Sequence, residues 1–311
     1  MSEAVLENPD SMVVKKPASY SHELDLTELL SPNKHDSALL ILNQKIAIGK
    51  LFEKLWANYQ VRICADGGAN RLYEYFSHDV ERSKFLPDYI VGDLDSVRDE
   101  ILSFYLERGV TIIGQTSQYS TDFTKSLRLL SLHFYHAGFQ QMVKANNFQE
   151  NYGIDNCDGL FQLYKMNRAS WNTRSINLMV LNAIDGRFDQ TIHSITQLYT
   201  ASKTDAYYRL CYLTSTDLII LVPTGGTLIR YDKQFKTQCI RNCGLLPLGG
   251  PTVINSTRGL KWDVSDWHTS IMEGKVSSSN RFVGEDCCYI DVKDPVVLNI
   301  ELTLPKLHEF I

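Results

Sequence analysis

The chain has 311 residues, of which 44% are hydrophobic and 22% charged. That is enough for about two domains, and it excludes disorder over most of the length. With 31 Lys+Arg against 36 Asp+Glu and a formal net charge of −5, the chain lacks the basic footprint of a nucleic-acid binder, although a local pocket for a small anion stays open.

Residues 1–33 hold Pro9, Pro17 and Pro32 and show no sustained period, so an extended, partly ordered tail is expected there. A strand–helix alternation follows. Residues 38–43 (ALLILN), 61–65 (VRICA), 89–91, 110–113 and 176–181 (INLMVL) read as buried strands. Helical spacing fills the gaps: Leu51, Phe52, Leu55 and Trp56; then Leu72, Tyr73 and Phe76; then Ile101, Leu102, Tyr105 and Leu106; then residues 121–136 and 190–202. Such alternation predicts an α/β domain with a mostly parallel sheet covered on both faces. Residues 138–175 interrupt it. They carry Asn146, Asn147, Asn151, Asn156 and Asn172 without a clean period, and are expected to be an insertion holding an extra helix or a mobile stretch. Beyond about residue 210 the rhythm changes to strand-like segments at 218–222, 226–231, 251–254, 275–278 and 296–304, set off by PTGG, LGGP and SSSN turns, with no convincing amphipathic helix. A C-terminal antiparallel β-sandwich is expected. The expected division is tail 1–33, α/β domain 34–215 and sandwich 216–311.

The seven cysteines form no paired CxxC units. This disfavours a zinc site and suits buried thiols in a reducing compartment. The N-terminus has no apolar core of signal-peptide type, and the longest clean apolar run, 218–222, is far short of a membrane span. A soluble cytoplasmic protein without a membrane or nucleic-acid partner is expected.

Chemistry concentrates where the strands end. In an open parallel sheet the C-terminal strand edge is where ligands bind. One strand runs into Asp66-Gly67-Gly68, which is either a tight turn with an ordinary helix start or a backbone cradle for an anion. Another runs into Asp93-Leu94-Asp95-Ser96. Extended geometry puts Asp93 and Asp95 on one side, and two carboxylates aimed at one point call for a cation between them. Magnesium fits, with capping of the next helix as the simpler alternative. After the fourth strand come Gln118, Thr121, Asp122 and Lys125. There a helix cap at Ser120 or Thr121 competes with a nucleotide and metal role. After the fifth come Arg187 and Asp189, either a surface ion pair or a guanidinium fork for a polyphosphate. Four such loops on one edge favour a metal–polyphosphate site. No Walker-type phosphate loop, protein-kinase signature, Gly-x-Ser-x-Gly elbow or HExxH spacing is present. In the C-terminal half, Trp262 and the Ser277-Ser278-Ser279-Asn280 cluster suit a flat heteroaromatic ligand or, more simply, a core aromatic and a polar turn.

The ordered set ADGGAN (65–70), PDYIVGDLDS (87–96), TDFTK (121–125), GRFDQ (186–190), CGLLPLGG (243–250), GLKW (259–262) and VSSSN (276–280) resembles the eukaryotic thiamine pyrophosphokinases, nearest the fungal form, over about residues 34–305. The resemblance implies transfer of pyrophosphate from ATP to the hydroxyl of thiamine, giving AMP and thiamine diphosphate. It also implies an α/β catalytic domain followed by a sandwich, and a homodimer with active sites shared between subunits. Carried over by motif, Asp66, Asp93, Asp95 and Asp122 surround magnesium and the ATP phosphates. Gly67, Gly68, Gln118, Thr121, Lys125 and Arg187 hold ATP, and Asp189 supports Arg187. Trp262, Ser277, Ser279 and Asn280 form the thiamine side across the dimer. Asp93 and Asp122 are the candidates to accept the hydroxyl proton. Tyr119 stands where many relatives have Asp, and Asp185 adds a charge near the polyphosphate. The competing expectations are another magnesium-dependent transferase or nucleotide hydrolase, and a non-catalytic binder of thiamine or nucleotide.

Overall fold

The computed structural model describes residues 3–32, 35–144, 157–171 and 173–311. Asn146, Asn147, Asn151, Asn156 and Asn172, on which the insertion was read, lie outside the described residues. Two short strands, β1 (Ala4–Glu7) and β2 (His22–Asp25), precede the expected alternation. The alternating part supplies β3 (Ser37–Ile41), β4 (Val61–Ala65), β5 (Tyr89–Gly92), β6 (Thr111–Gly114), β7 (Ile176–Leu181) and β8 (Tyr208–Leu213). Helices Leu51–Asn58, Gly68–Tyr75, Asp99–Glu107, Asp122–Tyr135 and Phe188–Thr204 stand between them. The C-terminal part supplies β9 (Asp217–Val222), β10 (Thr227–Arg230), β11 (Ile240–Leu246), β12 (Thr252–Arg258), β13 (Trp262–Thr269), β14 (Ser277–Arg281), β15 (Cys287–Val292) and β16 (Val296–Leu302).

Among the described residues these strands make two sheets. The larger runs β14-β11-β16-β9-β8-β7-β3-β4-β5-β6. Its β8-to-β6 portion is parallel, and its β14-to-β9 portion is antiparallel. The smaller runs β1-β13-β12-β15-β10-β2. The fold is therefore α/β, with a parallel sheet first and an antiparallel-rich β part second. β3 and β7 are buried at every position, because helices cover both faces of a parallel sheet. β9 alternates between buried and half-buried residues. Period two also divides β3 between two cores: Leu39 and Ile41 join one apolar cluster, Ala38 and Leu40 the other. The first cluster continues through Ile254, Ile290, Leu298 and Ile300, so the second half packs onto the first through one apolar core.

The structure departs from the sequence reading in three places. The expected tail is built into the fold: β1 pairs with β13 and β2 with β10, and Leu26, Leu29 and Leu30 of helix Leu26–Leu30 are buried. One layer of the sandwich is the larger sheet itself, continued by pairing of β9 with β8. The C-terminal half also holds two helices, Lys233–Cys239 and Leu304–Phe310. They were invisible because seven residues give barely two turns of period. Helices Phe139–Lys144 and Gly159–Asn167 lie in the insertion. Cys64, Cys211, Cys239, Cys243, Cys287 and Cys288 are buried, as expected for most of the thiols, whereas Cys157 is exposed. Among the described residues no helix is long and apolar enough to cross a membrane.

Candidate active site

Asp66 follows the last residue of β4, and Asp93 follows the last residue of β5. Asp122 opens helix Asp122–Tyr135, capped by Thr121, whose hydroxyl accepts from the Thr124 N–H at 3.3 Å. The three carboxylates offer oxygens that all lie within 4.8 Å of one another. Two features let them meet. Asp66 adopts φ +42°, a left-handed conformation that non-glycine residues rarely take and that costs backbone energy. Gly92 leaves the space: a Cβ there would sit 2.6 Å from Asp66 Cβ and 3.2 Å from Asp122 Oδ1.

Asp95 is not among the converging carboxylates. Alternation of side chains holds only in extended backbone, and Leu94 turns out of it at φ +64°. Asp95 lies instead at the loop surface, where its Oδ1 accepts from the Ser96 hydroxyl at 3.0 Å, and its backbone N–H supports Asp93.

The electrostatics of the trio are uneven. Burial raises Asp66 above the ordinary carboxylate range, a bond from Ser96 opposes it, and the charges of Asp122 and Asp93 add to it. Burial likewise raises Asp122, against the hydrogen bond and charge of Lys125. Burial acts on Asp93 too, but the bond from Gln118 and the charge of Lys125 outweigh it and hold Asp93 below the usual range. The Lys125 ammonium, 3% exposed, donates to Asp122 Oδ1 at 3.0 Å. Gln118 Nε2 donates to Asp93 Oδ2 at 2.8 Å. Among the described residues, one oxygen of Asp66 and one of Asp93, both named Oδ1, are buried without a hydrogen-bond partner. Buried carboxylate oxygens left unpaired are costly. A hard cation with oxygen ligands would satisfy them, which fits magnesium.

The trio lines a cleft of about 400 Å³. Gln118, Thr121, Lys125 and Arg187 line it as well. The Arg187 fork grips Asp189 through Nε–Oδ1 at 3.1 Å and Nη2–Oδ2 at 2.5 Å, yet stays 72% exposed. Its remaining donors therefore face outward with the fork held in orientation. Gly67 and Gly68 have a structural reason of their own. A Cβ at Gly68 would lie 2.2 Å from the Ile41 carbonyl oxygen, and one at Gly67 2.2 Å from Asn43 Nδ2. Small residues thus let helix Gly68–Tyr75 start against the end of β3. Tyr119 is 99% exposed, and the Asp185 carboxylate accepts from the Gly186 N–H at 2.7 Å.

Sequence reasoning missed Asn43, Gln44, Asn182 and His193 in this cleft. Asn43 and Gln44 follow β3, whose end obeys the same edge rule as the others. His193 stands one helical turn after Asp189, on helix Phe188–Thr204, and its Nε2 lies 3.1 Å from Thr121 Oγ1.

The second group of expected residues gathers elsewhere. Trp262, Ser277 and Asn280 border a hollow of only about 10 Å³, and Ser279 is exposed. Among the described residues none lines both this hollow and the acidic cleft. Asn280, 5% exposed, accepts from the Trp262 N–H at 3.1 Å and donates to the Trp262 carbonyl at 2.8 Å. It ties β14 of the larger sheet to β13 of the smaller. Trp262 itself is 39% exposed.

The family model "Thiamin pyrophosphokinase, catalytic domain" matches residues 52–210, and "Thiamin pyrophosphokinase, vitamin B1 binding domain" matches residues 227–297. The chain belongs to the thiamin pyrophosphokinase family. The thiamine pyrophosphokinase of Saccharomyces cerevisiae is 49% identical over 100% of both chains. A crystal structure of the yeast enzyme superposes with a TM-score of 0.94 at 48% identity, covering 99% of this chain and 100% of that one. The thiamin pyrophosphokinase of Candida albicans follows at 0.82 and 38%, covering 97% and 99%. The two family models meet this chain on either side of β9, one over the acidic cleft and one over the Trp262 region.

Proposed function

We propose that the acidic cleft is the ATP site of a thiamine pyrophosphokinase and that the Trp262 region is its thiamine side. The protein transfers a pyrophosphate group from ATP to thiamine, forming thiamine diphosphate, and AMP is released. The primary hydroxyl of thiamine gives up its proton to Asp93 or Asp122 and bonds to the β-phosphorus, while the bond from that phosphorus to the oxygen bridging to the α-phosphate breaks and that oxygen leaves on AMP. Asp66, Asp93 and Asp122 would hold magnesium, which would supply neutralisation of negative charge on the triphosphate. Lys125 and the outward-facing donors of Arg187 add positive charge beside the polyphosphate. Thr121, the helix start at Gly67-Gly68 and Gln118 position the nucleotide, and Asp189 keeps the Arg187 fork aimed. Asp95 supports the Asp93 loop from outside the trio.

The observation that carries this reading is the pair of buried carboxylate oxygens on Asp66 and Asp93 without a partner among the described residues, in a cleft that also holds a buried lysine and an exposed guanidinium fork held by Asp189. Thiamine is bound by Trp262 with Ser277, Ser279 and Asn280. These residues line no part of the acidic cleft within one chain, which supports a homodimer whose active sites each combine one subunit's cleft with the other's Trp262 region. The division into an α/β part up to about residue 215 and a β part after it, and a cytoplasmic location, belong to the same reading. The test is a chromatographic product assay with purified protein, ATP, Mg²⁺ and thiamine. Equal amounts of AMP and thiamine diphosphate are expected. ADP, or pyrophosphate without thiamine diphosphate, refutes the reaction type.

A further inference from the structure

Trp262 is held from both sides. On one side stands Asn280 of β14, described above. On the other stands the N-terminal segment, which the sequence offers only as a proline-bearing tail. β1 runs antiparallel to β13 with Glu7 opposite Trp262. The next residue, Asn8, is 7% exposed. Its N–H donates to the Lys261 carbonyl at 2.8 Å. Its side-chain amide donates to the Leu260 carbonyl at 2.8 Å and to Asp263 Oδ2 at 2.6 Å. Lys261 Nζ returns a bond to the Asn8 carbonyl at 2.7 Å and pairs with Glu7 at 3.3 Å and Asp10 at 3.1 Å.

Asp263, 8% exposed, is the hub of this arrangement. Its Oδ1 accepts from Leu260 N–H at 3.1 Å and Thr257 Oγ1 at 2.8 Å, and its Oδ2 from Gly259 N–H at 2.9 Å as well as from Asn8. Further along the same segment, Val14 packs on the turn. A Cβ at Gly259, whose φ is +88°, would lie 2.6 Å from Val14 Cγ2. Every residue of the Gly259–Trp262 turn thus touches the N-terminal segment or a group that the segment holds. None of these bonds is needed to close the sheet, because β13 already pairs with β12.

We propose that residues 4–14 act as a strap that fixes the turn before Trp262, and that Asn8 is a positioning residue for thiamine. This inference rests on the reading that Trp262 contacts thiamine. A strap made of backbone pairing alone would fix only the height of the strand. The Asn8 amide fixes the turn itself, because it bonds simultaneously to the Leu260 carbonyl and to the carboxylate that orders two of the turn's N–H groups. Loss of one such bond loosens an aromatic platform without touching the polyphosphate site, so the effect should fall on one substrate only.

The experiment uses the full chain with Asn8→Ala, Lys261→Met, Trp262→Ala and, as a control on the same strap outside the clamp, Ser11→Ala, whose hydroxyl bonds Glu285 at 3.3 Å. Three quantities are read: amide hydrogen exchange in peptides covering residues 257–264, KM for thiamine and for ATP with kcat, and Tm. In Asn8→Ala and Lys261→Met the turn should exchange faster and thiamine KM should rise about fivefold, the scale of one hydrogen bond, since only part of what the clamp loses reaches the ligand. ATP KM, kcat and the Ser11→Ala control should stay unchanged. Unchanged exchange at the turn overturns the proposal. So does faster exchange with an unchanged thiamine KM, and Trp262→Ala then separates the causes. If Trp262→Ala raises thiamine KM, only the positioning role has failed; if it does not, the assignment of the thiamine side has failed, and the positioning role that rests on it fails with it. Should Asn8→Ala not fold, Lys261→Met attacks the same clamp from the opposite strand and decides alone.

Discussion

In the acidic cleft, Asp66 and Asp93 each follow directly on the last residue of a buried strand, and Asp122 opens the helix after the next one. Around Trp262, the decisive bond joins Asn8 to Asp263, 255 positions apart in the chain. The first region is assembled by topology. Parallel strands bring their C-terminal ends to one edge, so polar residues placed there converge without needing one another. The second is assembled by side chains that hold each other across two sheets and the N-terminal segment. Topology-built sites are sensitive to the groups that do the chemistry and to the space between them. A site built from reciprocal bonds is sensitive to partners that never meet the ligand.

The contrast breaks most sharply at Asp93. Asp93→Asn removes the charge of one of the two unpartnered oxygen sites while keeping the shape, so kcat should fall by roughly 10²–10³-fold, the scale of losing a preorganised electrostatic group. Thiamine KM should hold, and circular dichroism should be unchanged. Substantial residual turnover would remove Asp93 from the metal site. Gly92→Ala attacks the same place through space alone. Its Cβ would meet Asp66 Cβ at 2.6 Å, and overpacking of that kind costs about 1–3 kcal/mol. Displaced carboxylates should lower kcat/KM between about 10- and 100-fold. If steady-state kinetics of this variant match wild type, the trio does not depend on close approach at Gly92.

Most of the parallel sheet was legible because strand and helix periods are local. β4 and β7 fall where the apolar runs place them, and Thr121 caps its helix as its position before an acidic first turn requires. That Asp66 and Asp93 stand at strand ends on one edge was legible for the same reason. Asp95 did not converge, since the left-handed turn at Leu94 has no signal in a residue type that rarely adopts it. The N-terminal strands were illegible. All four residues of β1 are exposed, so they carry no apolar alternation, and their order comes from pairing with β13. β13 itself shows mixed burial for the same cause: its neighbours on the sheet, rather than its own pattern, make it a strand. The Asn8 amide could not be read at all, because a single asparagine in a polar stretch gains meaning only from the buried carboxylate that it meets.

The smallest expected effect separates the two regions by their response to pH. Burial and mutual repulsion hold Asp66 and Asp122 above the usual carboxylate range. Without metal, the folded chain therefore keeps protons on these groups to higher pH than the unfolded chain does. Their contribution to stability is full below the unfolded carboxylate range and is lost as pH rises through the folded values. Asp93 runs the other way: its folded value is depressed, so its contribution is present above the unfolded range and fades only toward acid. Magnesium held by the trio, as proposed, would need ionised carboxylates and would bind the folded chain alone, so it would restore what ionisation of the pair removes. Saturating Mg²⁺ should raise Tm by roughly 5 °C near neutral pH. The increment should shrink as pH falls into the range where Asp66 and Asp122 take up protons, and should vanish on chelation. Asp93→Asn should lose most of it, whereas Asn8→Ala, which acts only on the Trp262 region, should keep all of it. Calorimetric scans with and without Mg²⁺ across pH make the measurement. An increment that is independent of pH, or that survives in Asp93→Asn, would place the cation away from the trio and dissolve the distinction between the two regions.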